Sequence, residues 1–138
     1  MKKKVREAVF NKYGGRCAYC GCELQSNWQV DHAISRVYWQ YHNPENTKAV
    51  NDLENLMPSC KECNHYKRSL CLDGSLTHTG FRAYMVEFHK RLAKLPKKTM
   101  VSKTVKRIAY MNTIAEKYGI TFDKPFSGKF YFETLNIK

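Results

Sequence analysis

The sequence predicts an α+β domain in which a short hairpin is followed by a helix, two cysteine knuckles tie these parts together, and further helices flank them. Three observations carry this reading. Cys17 and Cys20 form one C-x-x-C pair and Cys60 and Cys63 a second, and each such turn can present two thiolates to one ion. The stretches around the pairs switch between strand-like and helical periodicity. At 138 residues the chain has the length of a single domain, able to bury a core without a disulfide scaffold. We read 1–138 as one domain, with a core at about 16–70 and an extension at about 75–138.

Val5, Ala8, Val9 and Tyr13 recur at helical spacing and stop at Gly14 and Gly15, which predicts a short opening helix running into the first knuckle. Gly21, directly after Cys20, allows a tight turn there. Trp28 to Ile34 reads as a strand. Polar residues between Tyr41 and Asp52 predict a surface loop, and Leu53 to Met57 a second extended piece that pairs with the first as a hairpin. Ser59 and Glu62 fit a capping box for a helix starting at Cys60 and ending at Asp73 and Gly74. Cys60, Cys63, Asn64 and Lys67 then share one stripe. Phe81, Tyr84, Met85, Phe88, Leu92 and Leu95 define a further amphipathic helix. Val101, Val105, Ile108, Ala109 and Tyr118 define a last one, up to Gly119. Lys129 to Leu135, with Phe130, Tyr131 and Phe132, predicts a C-terminal strand.

Charge narrows the partner. The net charge is +12 with 43% hydrophobic residues, which fits a folded basic protein with a polyanionic partner such as nucleic acid, plain solubility being the alternative. The excess lies in the flanks, because residues 41–70 carry four basic and four acidic side chains. A neutral middle suits a site whose positive charge arrives as a metal ion. Apolar runs are only a few residues long, and the basic start from Met1 to Phe10 has no apolar stretch behind it. No membrane span or signal peptide is expected, and the reading is cytoplasmic. In a reducing compartment the two C-x-x-C pairs predict a closed, structural four-cysteine zinc site, while Cys22 and Cys71 read as ordinary partly buried thiols, competition of Cys22 with Cys20 for the metal being the alternative.

Between the pairs lies V-D-H-A-I, residues 30–34, and the second pair is framed by E-N-L-M-P-S-C-K-E-C-N-H-Y-K, residues 54–67. In this order of parts, from Arg16 to about Lys67, the sequence resembles the HNH endonuclease family. The segment after Asp73, with Gly80, Phe81 and Arg82, is similar to the extension of phage and bacterial members. The resemblance implies a ββα-metal (HNH) core. It implies Asp31 as carboxylate ligand of a catalytic divalent ion, His32 as general base, Asn55 as the residue that fixes the hairpin loop, and Asn64 as second metal ligand. It also implies a one-metal cleavage of DNA that leaves a 5′ phosphate and a 3′ hydroxyl.

Elementary chemistry agrees. An imidazole with a reference pKa near ~6.5 can take a proton from water at neutral pH. Asp31 and Asn64 offer hard oxygens suited to Mg²⁺ or Mn²⁺, apart from the soft zinc site. His65 competes with Asn64 as a ligand. Arg36, Lys67 and Arg68 are candidates for the DNA backbone, with solvated charge as the equal alternative. Neighbours in a regular strand point to opposite faces, so Asp31 and His32 share a site only where the strand ends or the metal sits at its edge. Many members carry a glycine pair after the D-H segment. Here Val37, Tyr38 and Trp39 are bulky, and the approach of substrate is expected to differ. The rival readings are a catalytically silent zinc-containing nucleic-acid-binding module and an RNA-directed nuclease.

Overall fold

The computed structural model describes residues 1–75, 78–96 and 101–135, and among them two strands and seven α-helices follow in chain order. Helix α1, Lys3–Asn11, ends before Gly14 and Gly15, both at positive φ, close to where its apolar spacing stops. Cations set its position. Arg6 lies 4.0 Å over the Trp28 ring, and Lys12 Nζ donates to the carbonyls of Leu53 (2.8 Å) and Leu56 (2.9 Å). Burial lowers the Lys12 pKa from its usual value, against the raising effect of Glu54.

Strand β1, Gln29–His32, pairs antiparallel with β2, Leu56–Ser59, with Gln29 opposite Ser59 and His32 opposite Leu56. Pro58 has no N–H for the ladder and is tolerated because the sheet has only two strands, both edges. Its carbonyl accepts from the Ala18 N–H at 2.8 Å, which ties the first knuckle to the hairpin. The second strand starts three residues later than predicted, since Leu53–Asn55 coil into a 3-10 turn. The connection between the strands is also more ordered than a polar loop. It holds α2, Arg36–His42, capped by Ser35 Oγ accepting from the Tyr38 N–H at 3.2 Å, and a 3-10 run over Pro44–Asn51.

Helix α3, Lys61–Lys67, is capped by Cys60, whose Sγ accepts from the Cys63 N–H at 3.5 Å. The predicted Ser59 cap does not form, because Ser59 ends β2 and its Oγ donates to the Cys60 carbonyl. The helix stops well short of Asp73. Arg68 takes φ 55°, and Lys67 turns inward to donate to the Leu70 carbonyl at 2.5 Å. The stripe from Phe81 to Leu95 is two helices rather than one, α4 (Phe81–Val86) and α5 (Phe88–Ala93), broken at Glu87. Helix α6, Ser102–Tyr118, ends as predicted on Gly119 in the left-handed region.

The predicted C-terminal strand is a short helix, α7, Tyr131–Thr134. Glu133 accepts from the Phe130 N–H (3.0 Å), while the Tyr131 and Phe132 N–H groups go to the carbonyls of Tyr19 and Ala18 (3.0 and 2.9 Å). The aromatic run therefore marks docking against the knuckle and not a pleated strand. Phe130 stacks on Phe81 with ring centroids 5.2 Å apart, and Tyr19 meets both edge-on. The fold is α+β, with a β1-β2-α3 unit on which the extension packs. No helix among the described residues is long and apolar enough to cross a membrane.

Phe130→Ala is expected to lose about 3–5 kcal/mol in denaturant unfolding. Tyr41→Ala, whose residue is 82% exposed, should stay within about 0.5 kcal/mol. Equal losses would remove Phe130 from the centre of the core.

Candidate functional site

Cys17 and Cys20 come from the first knuckle, Cys60 and Cys63 from the start of α3, and their four Sγ atoms lie within 4.8 Å of one another. Cys20 Sγ and Cys60 Sγ are 3.9 Å apart. Four thiolates about 2.3 Å from one ion in a tetrahedron have edges of about 3.8 Å, so the donor set and its spacing fit a metal ion. Burial would push the Cys17 thiol up, yet hydrogen bonds from the Cys20, Cys22, Cys60 and Cys63 thiols hold it well below the usual thiol range. Tyr118 Oη donates to Cys63 Sγ at 3.1 Å and Lys117 Nζ to Cys22 Sγ at 3.6 Å, so α6 supplies hydrogen bonds to the cluster and its neighbour. Cys71 sits elsewhere, against Ser35.

On the hairpin, Asp31 is 7% exposed. Its Oδ2 takes Lys67 Nζ at 2.9 Å and the Tyr19 hydroxyl. Burial, then the charge of Asp31 and the hydrogen bond to it, raise the Tyr19 pKa well above its usual value, so this phenol stays a donor. His32, the last residue of β1, is half-buried, and its Nε2 lies 3.0 Å from Asn51 Oδ1. Asp31 and His32 therefore turn to different partners, as strand alternation requires. Asn55 is buried. Its Oδ1 accepts from the Ile34 N–H (2.7 Å), and its Nδ2 donates to the carbonyls of Ile34 (3.0 Å) and Val50 (2.9 Å), which binds the two ends of the connection together.

Asn64 faces the hairpin and donates to Gln29 Oε1. His65 is exposed and instead meets Tyr110 edge-on at 5.6 Å. Of the two, Asn64 is the one on the side of Asp31. Neither Asp31 Oδ1 nor Asn64 Oδ1 accepts a hydrogen bond among the described residues. These two hard oxygens fit a divalent ion such as Mg²⁺ or Mn²⁺ in donor chemistry.

Arg36 and Arg68 are exposed, as a backbone contact requires. Lys67 is not, and its assignment to the DNA backbone is corrected: it has 0% exposure, and its ammonium already serves Asp31 Oδ2, the His32 carbonyl (2.9 Å) and the Leu70 carbonyl. An ammonium has only three donors, so none is left for a phosphate. Tyr19, Gln29 and Asn51 hold the candidate residues in place and were not singled out from sequence. Tyr19 lies between two cysteines, where the knuckle pattern leaves its residue type open. Lys67→Met should cost about 3–5 kcal/mol in urea unfolding, because it leaves a buried carboxylate without its cation. A loss under about 1 kcal/mol would show that the pair is not what seats α3 on the hairpin.

Compared with known families, residues 17–69 match the one described as HNH endonuclease. No curated protein and no solved structure matches the chain. The matched residues span both knuckles, the hairpin, its connection and α3. It is this segment of the chain, residues 17–69, with four thiols gathered as a metal ion would need and a β1-β2-α3 unit built on them, that matches the HNH endonuclease family.

Proposed function

We propose that the chain is a divalent-metal-dependent endonuclease that hydrolyses DNA phosphodiester bonds by a one-metal mechanism, with His32 as general base. The observation that carries this reading is the setting of His32. The residue stands at the open end of β1, its backbone carbonyl anchored by buried Lys67 and its ring held by Asn51. With Asn51 presenting its amide oxygen, Nε2 carries the ring proton and Nδ1 keeps the lone pair that takes a proton from the attacking water.

Asp31 and Asn64 would hold the catalytic ion through their remaining oxygens. When bound, Mg²⁺ or Mn²⁺ supplies Lewis acidity at the phosphate and charge for the leaving oxygen. Asn55 keeps the connection beside His32 in one shape. Arg36 and Arg68 offer guanidinium groups to backbone phosphates without reading base sequence. The four-cysteine cluster takes Zn²⁺ and has a structural part, since no ligand position is left open for substrate. A second reading, a catalytically silent nucleic-acid-binding module, draws on one observation: Lys67 and Tyr19 already pair with one oxygen of Asp31.

Plasmid nicking by the purified chain should require Mg²⁺ or Mn²⁺, and His32→Ala should lower it by about 10²–10⁴-fold while metal analysis still finds one zinc per chain. Cleavage that survives in His32→Ala would remove that residue from the chemistry, and a wild type inactive on DNA with every metal would leave the binding module. Stripping zinc with a strong chelator should abolish cooperative unfolding of the core, as expected when metal binding is part of the folding free energy. A chain whose melting is unchanged by the chelator would deny the cluster its structural role.

A further inference from the structure

A cleft of about 380 Å³ opens beside the C-terminal end of α3, where the HNH segment meets the extension. Its wall includes Arg68, Arg91 and Arg107 together with Tyr66, Tyr84 and Tyr110, and among the described residues no carboxylate lines it. The guanidinium of Arg91 lies 3.7 Å over the Tyr84 ring, its Nη2 donates to the Tyr84 carbonyl at 2.6 Å, and its Nε is buried with no acceptor among the described residues. Among the described residues Arg68 and Arg107 form no ion pair. Burial pushes the Tyr110 phenol up to about 12, so it stays neutral at physiological pH.

We infer that this cleft binds one unpaired nucleotide of a DNA strand, with guanidinium groups on its phosphate and the flat tyrosine and arginine surfaces against its base. Cation excess alone would suit any anion, and aromatic walls alone any apolar group. Guanidinium and ring planes together match the two halves of a nucleotide, since bases stack on aromatic rings and on arginine. The volume lies near the lower end of small-ligand clefts, about 300–1,000 Å³. A duplex, whose grooves and backbones span far more than this, cannot enter, so the nucleotide must leave the stack. Asn64 lies within α3 and Arg68 is its C-cap residue, so the cleft adjoins the end of the helix that faces the hairpin. The inference stands apart from the cleavage reading, because binding in the cleft needs no hydrolysis.

The test is fluorescence anisotropy with the full, zinc-loaded chain and no added Mg²⁺ or Mn²⁺. Three labelled probes are compared: a short duplex with one bulged nucleotide, the same duplex fully paired, and the same bulge made abasic. Wild type should bind the bulged duplex roughly tenfold more tightly than the other two, the order that one stacked base contributes. Tyr110→Ala should erase that preference. Arg107→Ala, which alters an exposed side chain, should weaken the bulged complex and reduce its salt slope by about one. Equal affinity for the three probes, or a preference intact in both variants, overturns the proposal. Displacement of the bulged probe by equimolar free nucleoside 5′-monophosphate would overturn the assignment to a strand. Binding of the bulge by a chain that never cuts would sink the nuclease reading alone, and cutting without bulge preference would sink only this one.

Discussion

A lysine ammonium with no exposed surface lies where β1, α3 and the first knuckle meet, and the arrangement of the domain follows from what that charge demands. Taking an ammonium and a carboxylate out of water costs several kcal/mol per ion unless their geometry and remaining hydrogen bonds are good. Here they are: Asp31 takes both Lys67 and the Tyr19 hydroxyl on one oxygen, while Lys67 completes its donors on two carbonyls. One of those carbonyls belongs to His32. The pair therefore fixes the backbone at the end of β1 to the last turn of α3 and, through Tyr19, to the knuckle. It also explains why the helix ends at Lys67. The side chain that satisfies Asp31 is the one that reaches the Leu70 carbonyl in the turn beyond.

Much of this frame was legible in the sequence because its signals are local. Two C-x-x-C pairs announce a shared ion, glycines at positions 14, 15 and 119 mark helix ends, and the apolar spacing before them marks the helices. The errors arose where a side chain could serve two partners. Ser59 and Glu62 match a capping box, but the strand claims Ser59 and a cysteine thiol takes its place. The run Phe130, Tyr131, Phe132 has the residue types of a strand, yet with no free partner strand its N–H groups turn to Tyr19 and Ala18. Lys67 was correctly placed on the stripe of Cys63, and periodicity reports which face a residue occupies but not how deep that face lies. The arginine and tyrosine cleft was illegible for a different reason. Its members run from position 65 to 111 and meet only once α4, α5 and α6 dock.

That docking makes the extension part of the site rather than an appendage. Phe81 and Phe130, stacked on each other from outside the HNH segment, both meet the knuckle's Tyr19 edge-on, so the same residue supports the aromatic core with its ring and Asp31 with its hydroxyl. Helix α6 reaches back to α3 through two phenols, Tyr110 to the Glu62 carbonyl (3.1 Å) and Tyr118 to Cys63 Sγ. Helix α3 thus presents Asn64 to the hairpin on one side and lines the cleft on the other. Its orientation is set from both directions at once.

The hydrogen bond from Tyr118 to Cys63 also sets that thiol apart from Cys20 in its resistance to oxidants. A donor on a thiolate draws charge from the sulfur and lowers its nucleophilicity, and Cys63 is wholly buried besides. Cys20 is the most exposed of the four and receives no such phenol. Attack by peroxide should therefore begin at Cys20, in the first knuckle, so that an ion held by the four thiols would be freed from that side while Cys60 and Cys63 stay intact at the start of α3. The order of damage would leave α3, the helix that serves both the hairpin and the cleft, as the last part of the cluster to lose its sulfur ligands.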